Sequence, residues 1–409
     1  MPHPHRTETL TRLAALAALA PSSHNCQPWR LVGLSRQRFD SEMGPLRPAG
    51  EQDGQPLAAG ATHTLLVCID RQRALRALPT LEREMRMSVG GFSSLLVNLL
   101  RIAGFGVRVH WLTPGWTPAT ASGRARLGKD EAVMVLHLSG SPESAETMDH
   151  PLTHWIACRH TMRSPFADTP DRLGPAPRPG TCLPHRLGHH GRWKAVPHGP
   201  LLSRLAAFYR EHAAEDFRHG TAWRETYNHL HFGGAANAAA DGHGVGMAIE
   251  ALFGPLPAWR RRLMQTVLHP QVLARIGPLG LHARIGRDFE QLVQHSAGVW
   301  ALIQDDGGAA MDERRAHLLA GETVLDSWLA ATRDGLSMQP LSVTLQHAPI
   351  ELALRRLLGV DQPVLFIARV GMPVNASTPP RLRRATATFC QFDFSSPASA
   401  PTPAPVLPC

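Results

Sequence analysis

PSSHNCQPWR, residues 21–30, sets two hydroxyls, an imidazole, two carboxamides and an indole in one short stretch framed by prolines. Ser22, Ser23, Asn25 and Gln27 offer directional hydrogen bonds to a flat heteroaromatic ligand or to a polyol tail. Pro21 and Pro28 stiffen the backbone on either side, and donors held in place lose less entropy when a ligand arrives. The same composition also describes an ordinary Ser/Asn-rich turn. The order P-S-S-x-N-x-Q-P-W is far more specific than the composition.

Upstream, residues 1–23 imitate a secretory signal, with a Leu/Ala stretch after a weakly basic start. An amphipathic helix describes them better: Thr7 as N-cap, Leu10, Leu13 and Leu16 on one side, and Pro21 as the stop. Downstream, residues 29–34 read as a short strand and 62–70 as a strand buried on both faces. Residues 80–103 carry Leu81, Met85, Val89, Phe92, Leu95, Leu96, Leu99 and Ile102, the spacing of a long helix with a broad apolar face, and Gly104 suits its left-handed end. Strands follow at 107–112 and 132–138.

The second half repeats this grammar. A long helix is expected over residues 312–332 with Gly335 just past its end, then a helix at 350–358 and a strand at 364–370. Residues 174–199 read mostly as loop, and 200–290 as a helical insertion. Residues 395–409 are low-complexity Pro, Ala and Ser, expected to be disordered and dispensable for chemistry. Strands mixed with long helices predict an α+β fold. The expected organisation is a first half over 1–150, a second over 151–391 containing the insertion, and a tail over 392–409.

With 409 residues, 43% of them hydrophobic and 18% charged, the chain can bury a sizeable core, and no apolar run approaches the length of a membrane span. The net charge of +9 comes almost wholly from scattered arginines, Lys129 and Lys194 being the only lysines, so nucleic-acid binding is not expected. Six cysteines with no C-x-x-C pair predict reduced thiols in a cytoplasmic protein. His185, His189 and His190, like His229 and His231, lack partners at metal-ligand spacing and read as loop histidines.

Three further stretches carry chemistry. RHTMRSPF, residues 159–166, holds two arginines and a threonine that suit a phosphate, with a helix N-terminus expected directly afterwards; the bland alternative is a surface turn. Gly335 and Leu336 form a turn whose glycine is equally well explained as a helix cap. PPRLRR places Arg381, Arg383 and Arg384 after the last expected strand. DGHGVGM, residues 241–247, faintly imitates a dinucleotide loop but lacks the preceding buried strand and the G-x-G-x-x-G spacing, so it reads as a mobile turn.

PSSHNCQPWR resembles the flavin-contacting motif of the FMN-dependent nitroreductase family, which carries this string after its first helix. RHTMRSPF resembles the phosphate-binding opening of the same family. In ordinary members it precedes the PSS string; here the order is reversed, as expected if it opens the second half of a fused dimer. The resemblance is to the long single-chain branch with an internally duplicated fold. It implies two tandem halves forming a pseudo-dimer, with the insertion as a lid and one FMN at the seam. By that analogy Pro21, Ser22, Ser23, His24, Asn25 and Gln27 come from the first half. Arg159, His160, Thr161, Arg163, Gly335, Leu336 and one or more of Arg381, Arg383 and Arg384 come from the second. The pseudo-symmetric second site is expected to be empty, because residues 7–12 lack the RHTMR pattern.

The implied function is an NAD(P)H-dependent oxidoreductase that reduces a nitroaromatic, quinone or related small-molecule acceptor through FMN. The flavin carries the chemistry, so no catalytic side chain, metal, nucleic acid or membrane partner is implied, and a monomer is expected. The alternative within the same fold is an FMN storage protein with little turnover.

Overall fold

The structure is a computed structural model that describes residues 4–44, 46, 61–140, 149–167, 173–178, 180–233, 244–254, 256–305, 311–374 and 382–395. Its strands in chain order are β1 (Trp29–Ser35), β2 (His63–Ile69), β3 (Gly106–Trp111), β4 (Glu131–Ser139), β5 (Arg192–Pro197), β6 (Leu230–His231), β7 (Met247–Ala248), β8 (Gly298–Ile303), β9 (Ser337–Pro340), β10 (Val364–Gly371) and β11 (Cys390–Asp393).

Two sheets dominate, ordered β11-β1-β2-β4-β3 and β5-β8-β10-β9. Replacing β1, β2, β4 and β3 by β5, β8, β10 and β9 turns one order into the other, and every pairing within both sets of four is antiparallel. Helix Leu81–Ile102 joins β2 to β3, and helix Glu313–Arg333 joins β8 to β9 at the equivalent place. The fold is therefore α+β and built twice.

The two long helices cross where neither can carry a side chain. A Cβ on Gly90 would collide with the Leu318 carbonyl, and one on Gly321 would collide with the Met87 carbonyl. Gly90 and Gly321, Met87 and Leu318, and the terminating Gly104 and Gly335 are each 231 positions apart (321 − 90, 318 − 87, 335 − 104). The crossing is thus an isologous contact between two copies of one motif. Both helices end alike. Gly104 and Gly335 take φ of 89° and 77°, and the next residue donates back to Leu100 in one case (3.0 Å) and to Ala331 in the other (2.7 Å).

Each helix is buried nearly all round, because it lies between its own sheet and the other helix. The largest core cluster mixes the halves: Trp29, Leu65, Phe92 and Leu136 of the first pack with Leu318, Leu325 and Leu329 of the second. Among the described residues no helix is long and apolar enough to cross a membrane.

Several expectations are corrected. The first helix runs Pro4–Ala17, so Thr7 lies inside it rather than capping it. No helix follows RHTMRSPF within residues 159–167; helix Pro151–Cys158 precedes it and Arg159 is its C-cap. β5 interrupts the stretch read as loop. β11 pairs parallel with β1 and carries Phe392 and Asp393 into the first sheet, so the chain is still built into the fold where the tail was expected to begin.

Candidate functional site

The turn between the first helix and β1 is held in an uncommon backbone conformation. His24, Asn25 and Gln27 have φ of 47°, 52° and 49°, the only positive values outside glycine among the described residues. Such conformations cost roughly 1–3 kcal/mol each and persist only where the surroundings impose them. The Gln27 amide donates to Ser22 Oγ (3.0 Å) and closes the turn. Asn25 Nδ2 donates to the carbonyls of Gly246 (2.9 Å) and Leu382 (3.0 Å), while Arg383 Nη1 donates to Asn25 Oδ1 (2.8 Å). Gln27 Nε2 donates to the Gly244 carbonyl (2.6 Å), and Gln27 Oε1 accepts the Arg384 amide (3.0 Å). Behind the turn, Trp29 is fully buried and stacks on Phe92 at 4.9 Å. Two distant segments, at residues 244–246 and 382–384, thus clamp one turn.

In front of the turn lies a cavity of about 190 Å³. Residues 21–24 line it together with Glu84, Met87, Ser88 and Gly91 of the first long helix, and Gly321, Val324 and Trp328 of the second. Gln339, Pro340, Ser342, Leu345, Leu365, Phe366 and Ile367 form the opposite wall. Thr161, Arg163 and Met247 complete it and also line a neighbouring recess, which adds Asn25, Arg159, His160, Gly246, Ala248, Leu382 and Arg383. The two share Pro21, Ser22 and His24 as well. One recess therefore runs from an apolar slot at the helix crossing to an end bearing three guanidinium groups.

The electrostatics differ between those ends. Arg159 is buried, donates to the Leu19 carbonyl (3.0 Å) and lies 4.8 Å over the Trp328 ring. Arg383 donates to the same carbonyl (3.3 Å). Arg163 is half-buried and donates to Met247 Sδ (3.1 Å); no carboxylate pairs with it among the described residues, and burial pulls its guanidinium down to about 10. A desolvated cation without a counter-ion is costly unless an anion arrives. His24 is pushed down to about 3 by burial and by the nearby His229 and Arg163, so its ring is neutral at physiological pH. Its buried Nδ1 has no partner among the described residues. In the slot, burial pushes the Glu84 carboxyl up, against hydrogen bonds from Ser23 Oγ (2.5 Å) and Gln346 Nε2 (2.8 Å).

A cofactor with a flat apolar body and an anionic tail fits this donor set: Arg163, with no carboxylate partner among the described residues, at one end, a mainly apolar slot at the other, and the His24 nitrogen, without a partner among those residues, lining both.

The chain is 28% identical over 407 residues, 95% of each protein, to the Probable NAD(P)H nitroreductase PigM of Serratia sp. (strain ATCC 39006). The chain is thus similar to a nitroreductase over nearly its whole length. Among solved structures it is similar to a putative nitroreductase from Anabaena variabilis, at 12% identity and a TM-score of 0.40, covering 90% of this chain and 88% of that one. No family model matches.

In this chain the recess gathers Pro21, Ser22, Ser23, His24, Asn25, Arg159, His160, Thr161, Arg163 and Arg383. Four other expected residues lie elsewhere. Gln27 is fully buried among the clamping bonds. Arg384 is also buried; it donates to the carbonyls of Gln27 (2.9 Å) and Trp29 (3.1 Å) and pairs with Asp70 (3.2 Å). Gly335 is exposed at its helix cap and Leu336 packs into the core behind it, so neither lines the recess. Arg381 lies outside the described residues.

Other lining residues escaped the sequence reading. The stretch taken as a mobile turn supplies Gly246 and Met247, and its described part is pinned to the turn by the Asn25 and Gln27 bonds. The alternating glycines were the available signal. A Cβ on Gly244 or Gly246 would collide with the backbone of Arg383 or His229, and their φ of 52° and 81° suit glycine. Glu84 and Trp328 sat unremarked in helices read only for their apolar faces.

Proposed function

We propose that the chain binds one FMN in this recess and acts as an NAD(P)H-dependent oxidoreductase toward nitroaromatic, quinone or related acceptors. The observation that carries the reading is Arg163, a half-buried guanidinium with no carboxylate partner among the described residues, at the polar end of a mainly apolar slot. Arg159, Arg163 and Arg383 would hold the phosphate, with Thr161 and Ser22 beside them. Met87, Val324, Trp328 and Leu365 would exclude water around the ring system. The flavin supplies two-electron chemistry when bound, and the protein supplies position and a dry surrounding.

The turn comes from the first half, and Arg159, Thr161 and Arg163 from the second, so one chain offers what two subunits would otherwise share. A single site per chain is supported by the opposite face of the helix crossing, which the chain itself fills. Gly188 packs against Leu319, the Leu187 amide donates to Glu322 (3.0 Å), and four successive amides, Gly180 to Leu183, donate to Asp326.

The purified protein is expected to be yellow, to release one FMN on denaturation and to bleach anaerobically on adding NADPH. A colourless protein that takes up no FMN overturns the reading. Retained FMN that neither NADH nor NADPH bleaches would instead make the chain a flavin store.

A further inference from the structure

Glu84 stands on the first turn of helix Leu81–Ile102, and its carboxyl lines the slot among Met87, Leu345 and Ile367. Both of its hydrogen-bond partners are neutral, the Ser23 hydroxyl and the Gln346 amide. Among the described residues no cation pairs with it; Arg314 and Arg71 are drawn instead to Glu131. The charged and titratable groups around it come from several elements, and they include the buried Cys26 thiol of the turn, which burial pushes up. Arg83 on its own helix favours the carboxylate, and Asp216 on helix Glu215–Arg218 opposes it. Asp216 is itself held by His347 at 2.8 Å. Across the recess, His24 is neutral and Arg163 belongs to the polar end.

A flat ligand entering the slot strips remaining water from this carboxyl, and desolvation favours the uncharged acid. A neutral acid donates a hydrogen bond, whereas a carboxylate there would repel negative charge building on an acceptor oxygen.

We propose that Glu84 is the general acid of the slot, seated as the carboxylic acid beside the bound acceptor and giving its proton to an acceptor oxygen during reduction. The proposal rests on the FMN reading above and narrows the acceptor to compounds, such as quinones, whose reduction leaves a proton on oxygen. The quinone gains a hydride equivalent from reduced FMN, which is oxidised. The Glu84 O–H bond breaks, an O–H bond forms on the quinone, and a hydroquinone leaves. The carboxylate regains a proton from water through the Ser23 hydroxyl.

Two measurements test this. The first is calorimetry of FMN binding to apoprotein in buffers of different ionisation enthalpy: the wild type is expected to take up protons near neutral pH, and Glu84→Gln not to. The second is anaerobic reoxidation of the reduced holoprotein by a water-soluble benzoquinone between pH 5 and 9. The wild-type rate should fall as pH rises. Glu84→Gln should be slower by roughly a hundredfold or more and flat with pH, and Glu84→Asp should restore part of the slope. Ser23→Ala removes a bond that favours the carboxylate, so the break in its profile should move to higher pH; this variant keeps the test decisive if Glu84→Gln fails to fold. FMN binding with equal proton uptake in wild type and Glu84→Gln, or an unmoved break in Ser23→Ala, overturns the role of Glu84 alone. A wild type that binds no FMN overturns the FMN reading and this proposal together.

Discussion

The two faces of the helix crossing start from equivalent backbones and end differently. On one face, Glu84, Met87, Ser88 and Gly91 look across at Gly321, Val324 and Trp328 over a cavity. On the other, the positions 231 residues away place Leu318, Leu319 and Glu322 opposite Gly90, Ser93 and Val97, and there the loop over residues 180–190 is packed in. The segment entering each sheet makes the difference. Before β1 the chain turns sharply through positive φ and leaves a hollow; before β5 it lies down along the helix, anchored by Asp326, Glu322 and Asn98. Duplication supplied two equivalent faces, and loop chemistry decided which one stayed open.

The largest effect should come from destroying what the faces share. Gly321→Ala or Gly90→Ala drives a methyl into the opposing backbone and should cost about 3 kcal/mol or more in chemical denaturation. Equal losses from the two would confirm that the crossing is symmetric; tolerance of either would break that description. Next, Asp326→Ala orphans four amides on the filled face and should cost about 2–3 kcal/mol. Hydrogen exchange should rise at residues 180–183 while FMN affinity holds; lost FMN affinity would show that the faces are not independent.

On the open face, Arg163→Ala should weaken FMN binding by roughly ten- to a hundredfold, about 1.5–3 kcal/mol, while leaving thermal stability unchanged or higher, because the charge it removes has no counter-ion among the described residues. Fluorescence titration of apoprotein measures the first and thermal unfolding the second. Unchanged affinity would place the anion elsewhere.

The smallest effect concerns pH. Burial raises the Glu322 carboxyl to about 7, above its unfolded value. The stability this contributes is full at acidic pH and is lost as pH rises towards about 7, on the order of 1–3 kcal/mol. Glu322→Gln should flatten the wild-type decline in melting temperature between pH 5 and 8; parallel curves would show that Glu322 does not carry it.

Much of this was legible before the fold was known, for physical reasons. β1 to β4 and β10 are apolar runs with local punctuation, and the long helices carry their pattern and a capping glycine within one window. β11 was missed because CQFD is only partly buried, and its pairing with β1 spans most of the chain. β5 was missed because Arg192, Lys194 and Pro197 give it a loop's composition. Within the site, residue types predicted the chemistry but not the direction of each side chain. Asn25 and Gln27 are equally suited to a ligand and share a positive φ, yet Asn25 lines the recess while Gln27 is buried against Gly244 and Arg384, and adjacent Arg383 and Arg384 likewise divide between recess and core. Glu84 was invisible because nothing local to LEREMRM separates a carboxyl facing a slot from one facing solvent.

The seat of β11 bears on how the protein is made. During synthesis β1 emerges far ahead of β11, the strand that covers its outer edge, which lies at residues 390–393. Until then the first sheet presents an unpaired edge, a surface that invites strand addition from another nascent chain. A ribosome-stalled chain ending before Cys390 is therefore the form most exposed to misassembly, and a chaperone held on that edge until β11 is made would protect it.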